Sequence, residues 1–394
     1  MVNSSTVLLK DEETPMRVLV IGGGIGGLAA AIALRNAGHE VHVFERAPAL
    51  KEVGAGIALW ANAIKALDKL GVGAMIRTIS LPDLNGGIRT AHGSLLAGAA
   101  TGELEQRFGA PTLVMHRADL LNTLLMAFDR DLVYLNAECV GYHADQHCVT
   151  AQFADGRQMD GDVLIGADGI RSAIRAQMLP DARPRYAGYT AWRAVATFDH
   201  AKVGDKWGES WGRGARFGIA PLKNGQVYWF AVLNTPEGTH DEPTQGKQKL
   251  LSVFGAWHKP VGALIEAADD AAILRNDIYD LAPLPKWTEN RVALLGDAAH
   301  ATTPNLGQGA CQALEDAVVL GQCLTSHADI AHALGNYESQ RMTRANRVVA
   351  LSRQIGAVGQ WESPLACWLR DLGMRLMPAE LRMKQLGTII GYEV

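Results

Sequence analysis

The sequence has few cysteines and no strong bias of any other kind, and each lack excludes something. Only 5 cysteines occur in 394 residues. They stand at 139, 148, 311, 323 and 367, an odd number with no CxxC pair. A disulfide framework is therefore not expected, and a reducing compartment is the simpler setting. His143, His147 and Cys148 lie close together, but no second ligand cluster accompanies them, so no metal site is expected. No apolar run approaches the roughly 20 residues that span a bilayer, so no integral membrane segment is expected. Residues 1–15 carry mixed charge and one short apolar patch, Val7-Leu8-Leu9; they read as a disordered leader, not a signal peptide, and the protein as cytoplasmic. A basic excess is missing too: 37 Lys+Arg against 41 Asp+Glu leave a net charge of −4, which argues against nucleic acid as a partner. There is no internal repeat and no low-complexity block.

What is present is glycine, 42 residues of it, much of it following short apolar runs. Arg17-Val-Leu-Val-Ile21 has the length and β-branching of a buried parallel strand, Leu28 to Ala37 reads as a helix closed by Gly38, and His39 to Glu45 as a second strand. Helices are expected over Ala61–Leu70 and Ala118–Phe128, paired strands over Leu132–Asp162, and a buried strand over Val163–Asp168. From Arg185 to about Tyr279 the texture changes to short aromatic segments between glycines and charged turns, the pattern of an antiparallel sheet. After Gly309 the chain is mainly helical, and Trp361, Trp368 and Met374 to Met377 read as packing positions. The fold class is α/β, with a Rossmann-like dinucleotide domain (16–80, 110–184 and 286–330) split by a sheet domain (81–109 and 185–285). A helical region covers 331–394.

Three motifs carry chemistry. The first is Gly22-x-Gly24-x-x-Gly27, between strand and helix. Gly22 permits the tight turn, Gly24 lets a pyrophosphate approach the backbone, and Gly27 lets helix and strand pack closely, with the helix N-terminus facing the phosphates. Glu45, about 18 residues on, can accept from ribose hydroxyls and would repel a 2′-phosphate, favouring FAD or NAD over NADP. The alternative is a glycine-rich turn in another α/β protein. The second motif runs Asp168-Gly169-Ile-Arg171-Ser172-x-x-Arg175, which by itself also fits a strand-turn-helix with a solvated basic face. The third runs from Gly296-Asp297 through His300 and Pro304 to Gly307-Gln308-Gly309. It bares backbone N–H groups at a helix start, a place for a developing anion, or it is simply a capped helix after a tight loop.

In this order and spacing the three blocks resemble the single-component, group A FAD-dependent aromatic hydroxylases typified by p-hydroxybenzoate hydroxylase. The resemblance covers about residues 17 to 375 and is strongest to the branch holding the urate hydroxylases and zeaxanthin epoxidases. It implies a pyrophosphate site at Gly22, Gly24, Ile25, Gly26 and Gly27, with Glu45 and Arg46 at the adenosine ribose. It further implies that Arg117 serves FAD, that Asp168 and Gly169 serve both FAD and NAD(P)H, and that Asp297 meets the ribityl or pyrophosphate region. Pro304, Gly307, Gln308, Gly309 and Ala310 would lie along the isoalloxazine. Arg216-Phe-Gly-Ile-Ala-Pro221 followed by Tyr228 is similar to the urate enzyme's arginine and tyrosine, whereas Tyr189-Thr-Ala-Trp192-Arg193 departs from it. There is no second GxGxxG for a nicotinamide cofactor.

The function implied is hydroxylation of an aromatic or N-heteroaromatic small molecule, with NADH or NADPH and O2 as co-substrates, through a flavin C4a-hydroperoxide. Arg216 would stabilise a substrate anion and Tyr228 orient it, with Arg193 as a second candidate. The bland reading of Arg216 is a surface charge on an edge strand. Trp192, Phe217 and Trp229, with Pro304, are candidates to line an apolar substrate pocket, although aromatics on a sheet also serve as core. His300 reads as a structural group or a base. Two other functions stay open: epoxidation of an isoprenoid double bond, and flavin binding without turnover. The expected assembly is a monomer or homodimer.

Overall fold

Arg17–Ile21 is the central strand of a six-stranded sheet, buried from Val18 onward as a parallel strand covered on both faces requires. Glu40–Phe44 and Val163–Gly166 flank it in parallel, and Val133–Tyr134 and Val292–Leu294 extend the parallel array outward. Thr288–Glu289 closes one edge antiparallel. The computed structural model describes residues 15–50, 55–82, 86–98, 101–240, 246–326 and 329–394. All but the last residue of the expected leader lies outside them.

The Ile25–Asn36 helix follows the first strand and packs on the Gly309–Ser326 helix at two bare points. A Cβ on Gly26 would stand 3.2 Å from Ala313 Cβ, and one on Gly321 3.0 Å from Ala33 Cβ. Helix Arg117–Ala127 and the antiparallel sheet of Cys139–Ala144, Val149–Phe153 and Gln158–Gly161 complete this layer.

A second, seven-stranded sheet runs in the order Leu274–Asp280, Arg185–Thr197, Gln226–Asn234, Ala215–Leu222, Gly208–Trp211, Gly87–Thr90, Leu95–Gly98. It is antiparallel as expected, except that Gly208–Trp211 pairs in parallel with Gly87–Thr90. The latter is reached by a long excursion of the chain and not by a hairpin, so nothing forces the antiparallel sense. Helices Gly246–Phe254 and Val261–Ala267 cover one face of this sheet and close a separate core around Trp192, Phe217, Trp229 and Phe254.

The C-terminal part is the 30-residue Ile330–Gly359 helix followed by Pro364–Leu376 and Ala379–Ile390. Trp361 and Trp368 are not packing positions: they stand 40% and 59% exposed. Cys367 and Arg370 turn inward from the Pro364–Leu376 helix, Arg370 donating to Gly212 O at 3.2 Å. Among the described residues, no helix is long and apolar enough to cross a membrane.

Candidate active site

The three motifs converge at the C-terminal ends of the parallel strands, where an open α/β sheet places its ligands. Gly22 has φ +110°, and a Cβ there would fall 2.4 Å from Ala167 O, so the first and second motifs touch through a position only glycine fills. Gly27 is equally constrained: its Cβ would collide with Gly22 O at 1.9 Å. Gly24, in contrast, would meet nothing within 4 Å, and neither would Gly169, at φ +80°. Both leave backbone bare toward open space. Glu45 folds over this turn, accepting from Gly23 N at 2.7 Å and Ala47 N at 2.9 Å. Arg46 is exposed, and Ile25 is buried in the core.

Asp168 accepts from Ala173 N (2.7 Å) and Ile174 N (3.3 Å) through Oδ2, while its buried Oδ1 has no partner. Burial raises its carboxyl above the usual range, in spite of hydrogen bonds that lower it. Arg175 is not on a solvated face: it is buried, and its Nη1 donates to Ala298 O at 3.0 Å, tying the second motif to the third.

In the third motif, Gly296 (φ +61°) turns the chain and leaves Asp297 exposed, with Oδ1 3.9 Å from where a Gly309 Cβ would lie. Pro304 and Gly307 are exposed, and Ala310 half-buried at the start of the Gly309–Ser326 helix. Gln308 departs from expectation. Its side chain is fully buried and accepts from Asn62 Nδ2 (2.9 Å) and Gln312 Nε2 (3.0 Å), so it belongs to an internal network and not to the loop surface. That network continues through Glu315 to Arg341 and Asp316. Asp316 accepts from Gly296 N at 3.1 Å and pairs with His300 Nε2 at 2.6 Å. Against burial, which would raise it, His300 and Arg341 hold the Asp316 carboxyl down at about 2. His300 is thus the satisfied structural group.

Strand register decides the substrate candidates. Arg216 pairs with Val232 and Tyr228 with Ala220 and Val195, so Arg216, Gly218, Ala220, Tyr228, Phe230 and Arg193 share one face. Phe217, Trp192 and Trp229 face the other way, into the core beneath Gly246–Phe254, where Phe217 and Trp229 stack at 5.5 Å. They do not line a site with Arg216; alternation forbids it. The rings on the Arg216 face are Tyr189 and Trp211, beside the guanidinium, and farther along the sheet Tyr228 and Phe230. Two glycines make room for the latter pair: a Cβ on Gly218 would overlap Phe230 Cζ at 2.1 Å, and one on Gly56 would reach Tyr228 Cγ at 2.5 Å. Gly56 lies on the Gly56–Leu59 strand and so seats the sheet on the dinucleotide layer. Burial pushes the Tyr228 phenol up to about 12, although Arg193 and Arg117 oppose the shift.

Arg216 is buried, not an edge-strand surface charge. Nε donates to Gln360 Oε1 at 2.9 Å and Nη2 to Asn305 Oδ1 at 2.6 Å, and Asn305 follows Pro304 in the third motif. Arg193 donates through Nη2 to Asn276 Oδ1 at 2.7 Å. Sequence reasoning missed Asn305, Gln360, Gly56 and Phe230, of which only Phe230 could have been found, by counting in twos from Tyr228.

Residues 15–352 match a family model described as an FAD binding domain. The chain is 44% identical over 368 residues to aurachin C monooxygenase/isomerase of Stigmatella aurantiaca, covering 93% of this chain and 96% of that protein. It is 37% identical over 342 residues to the FAD-dependent urate hydroxylase of Klebsiella pneumoniae, covering 86% and 89%. The chain belongs to the FAD-dependent monooxygenases. Its fold superposes on the crystal structure of Klebsiella pneumoniae HpxO complexed with FAD and uric acid with a TM-score of 0.91, at 33% identity, over 97% of this chain and 98% of that one. As a monooxygenase of this family it is an FAD enzyme acting on a small molecule, which removes flavin binding without turnover from the readings.

Proposed function

We propose that this monooxygenase hydroxylates an aromatic or N-heteroaromatic ring in its ionised form, drawing electrons from NADH or NADPH. The observation that carries the reading is the buried Arg216, hydrogen-bonded to Asn305 of the cofactor loop and sharing a sheet face with Tyr228. In balance, NAD(P)H, a proton, O2 and the substrate give NAD(P)+, water and a product one oxygen heavier.

The residues present fit FAD. Gly22, Gly24 and Gly27 offer a turn with bare backbone, and Asp168 has a buried oxygen without a partner at the adjoining strand end. Glu45 would take the adenosine ribose, its two backbone bonds leaving lone pairs free. Arg46 stands exposed beside it, and Arg117 opens the helix Arg117–Ala127. Asp297 would meet the ribityl chain, and Pro304, Gly307, Gly309 and Ala310 would run along the ring system. When bound and reduced, FAD supplies the activation of O2 from which one atom reaches the substrate.

This chain's own residues do the rest. The free N–H groups at the start of the Gly309–Ser326 helix favour negative charge beside them. Arg216 stabilises an ionised ring, whose electron density makes it the better acceptor of oxygen. Tyr228, protonated across the working pH range, donates a hydrogen bond and fixes the ring's orientation. Phe230 supplies an apolar wall where Trp192, Phe217 and Trp229 do not. The proposal is tested by substrate-stimulated NAD(P)H oxidation with salicylate, 2,6-dihydroxypyridine, a hydroxyquinolone, aurachin C and uric acid, and with a long isoprenoid alkene for contrast. Stimulation with an oxygenated product supports it. Stimulation only by a long isoprenoid would replace it with the epoxidase reading.

A further inference from the structure

Arg216 is gripped by two side chains, and both present amide oxygens. Gln360 Oε1 takes Nε, and Asn305 Oδ1 takes Nη2. Neither amide is free to turn around. Gln360 Nε2 donates to Gly214 O (3.2 Å) and Asn234 Oδ1 (2.7 Å). Asn305 Nδ2 donates to Tyr189 OH (2.9 Å), Thr303 Oγ1 (2.8 Å) and Ser352 O (2.8 Å). Their carbonyl ends are thereby committed to the guanidinium.

The long helix is cut to fit this grip. A Cβ on Gly356 would stand 2.3 Å from Asn305 Nδ2, and one on Gly359 3.0 Å from Arg216 Cδ. Gln360 then caps the same helix. The rings of Tyr189 and Trp211 lie 5.7 and 5.9 Å from the guanidinium carbon. Nη1 makes no hydrogen bond among the described residues. The nearby carboxylate, Glu209, has Oε2 at 3.6 Å, and the same oxygen takes the Trp211 indole N–H at 2.8 Å.

A buried guanidinium is ordinarily paired with a hydrogen-bonded carboxylate, because an uncompensated buried charge is costly. Here the two positions that hydrogen-bond it are occupied by neutral acceptors. We propose that Gln360 and Asn305 are positioning residues that aim Arg216 and add no negative charge beyond its long ion pair with Glu209, so that the site selects the anionic form of its ring substrate. The inference rests on the proposed hydroxylase reading and adds the source of its charge selectivity. Gln360 and Asn305 act through Arg216, with no contact to the substrate required of them.

The test is Gln360→Glu and, from the other side, Asn305→Asp. Each keeps an acceptor in place and adds one negative charge. FAD-loaded enzyme is titrated at pH 7 with salicylate and urate, and with salicylamide and tetramethyluric acid as uncharged counterparts, following the flavin absorbance. Both variants are expected to raise the Kd of the anions by at least about tenfold, as a charge placed within a few ångström of a part-buried ion does. The uncharged counterparts should bind within about twofold of wild type. A merely structural role predicts equal loss for both classes, and equal loss or no loss overturns the proposal. If one variant fails to fold, the other carries the comparison. Should wild type bind neither of these anions nor any other ring compound of the panel above, the hydroxylase reading itself falls, a failure visible before any variant is measured.

Discussion

Arg216 and Phe217 are neighbours in one strand, yet one reaches the cofactor loop through Asn305 and the other stacks on Trp229 in a helix-covered core. The same split divides Tyr228 from Trp229 and Arg193 from Trp192. Site and core are thus interleaved residue by residue, and a substitution at one position is expected to behave quite differently from one beside it.

Phe217→Ala should cost on the order of 3–5 kcal/mol of stability by opening a cavity against Trp229 and Phe254. In the protein that remains folded, the KM for substrate should stay as in wild type. Arg216→Met should do the reverse, lowering substrate-stimulated turnover by about 10²–10³ while FAD stays bound. Thermal melting and steady-state kinetics on both variants check the pair. A Phe217 variant with an altered KM would contradict the assignment of faces.

Gly56→Ala is expected to push the Tyr228 ring, since the added carbon would lie 2.5 Å from Cγ and 2.8 Å from Cβ, atoms that cannot swing away as a side-chain tip can. Overpacking of this kind costs roughly 1–3 kcal/mol. The melting temperature should fall, and oxygenation should become less efficient, with more NAD(P)H spent on H2O2. Unchanged coupling would mean that Tyr228 does not set the substrate's orientation.

Much of the dinucleotide layer was legible because its signals are local. A β-branched run, a glycine turn and a carboxylate at the next strand end are each read within a few residues, and Gly22, Gly27 and Glu45 stand where that reading puts them. The substrate face was only partly legible. Arg216 and Tyr228 were found by resemblance, but the aromatic neighbours were chosen by type and not by alternation, which is why Trp192, Phe217 and Trp229 went to the wrong face. Gln360 and Asn305 lie 144 and 89 residues from Arg216, and no local pattern links an amide on a helix end to a strand so distant.

The Asp316 cluster predicts an acid limit to stability. With His300 and Arg341 holding its folded pKa at about 2, below the ordinary value of 3.8, Asp316 binds its proton less readily folded than unfolded. Its contribution is therefore fully present above about pH 5 and is lost as the pH falls toward 2. Denaturant melts across that window should show the midpoint dropping. Asp316→Asn, which leaves His300 without its carboxylate and Arg341 with Glu315 alone, should cost on the order of 3–5 kcal/mol near neutrality. It should also flatten the pH dependence. A variant as pH-sensitive as wild type would place the acid limit elsewhere.

Tyr228 should leave no mark on the alkaline limb of the pH profile. Its phenol, at about 12, remains a donor well beyond neutrality. Tyr228→Phe should lower kcat/KM by about 10–100-fold through lost orientation and leave any apparent pKa between 6 and 10 where it was. A limb that disappears in the variant would assign Tyr228 a proton-transfer role instead.

The most direct test of the central claim is NAD(P)H oxidation by the FAD-loaded protein, with and without ring compounds that ionise near neutrality, coupled to mass analysis of the product. The account predicts strong stimulation by at least one of them, a product one oxygen heavier, and loss of both in Arg216→Met. A yellow protein whose NAD(P)H oxidation no ionisable ring compound accelerates would contradict it.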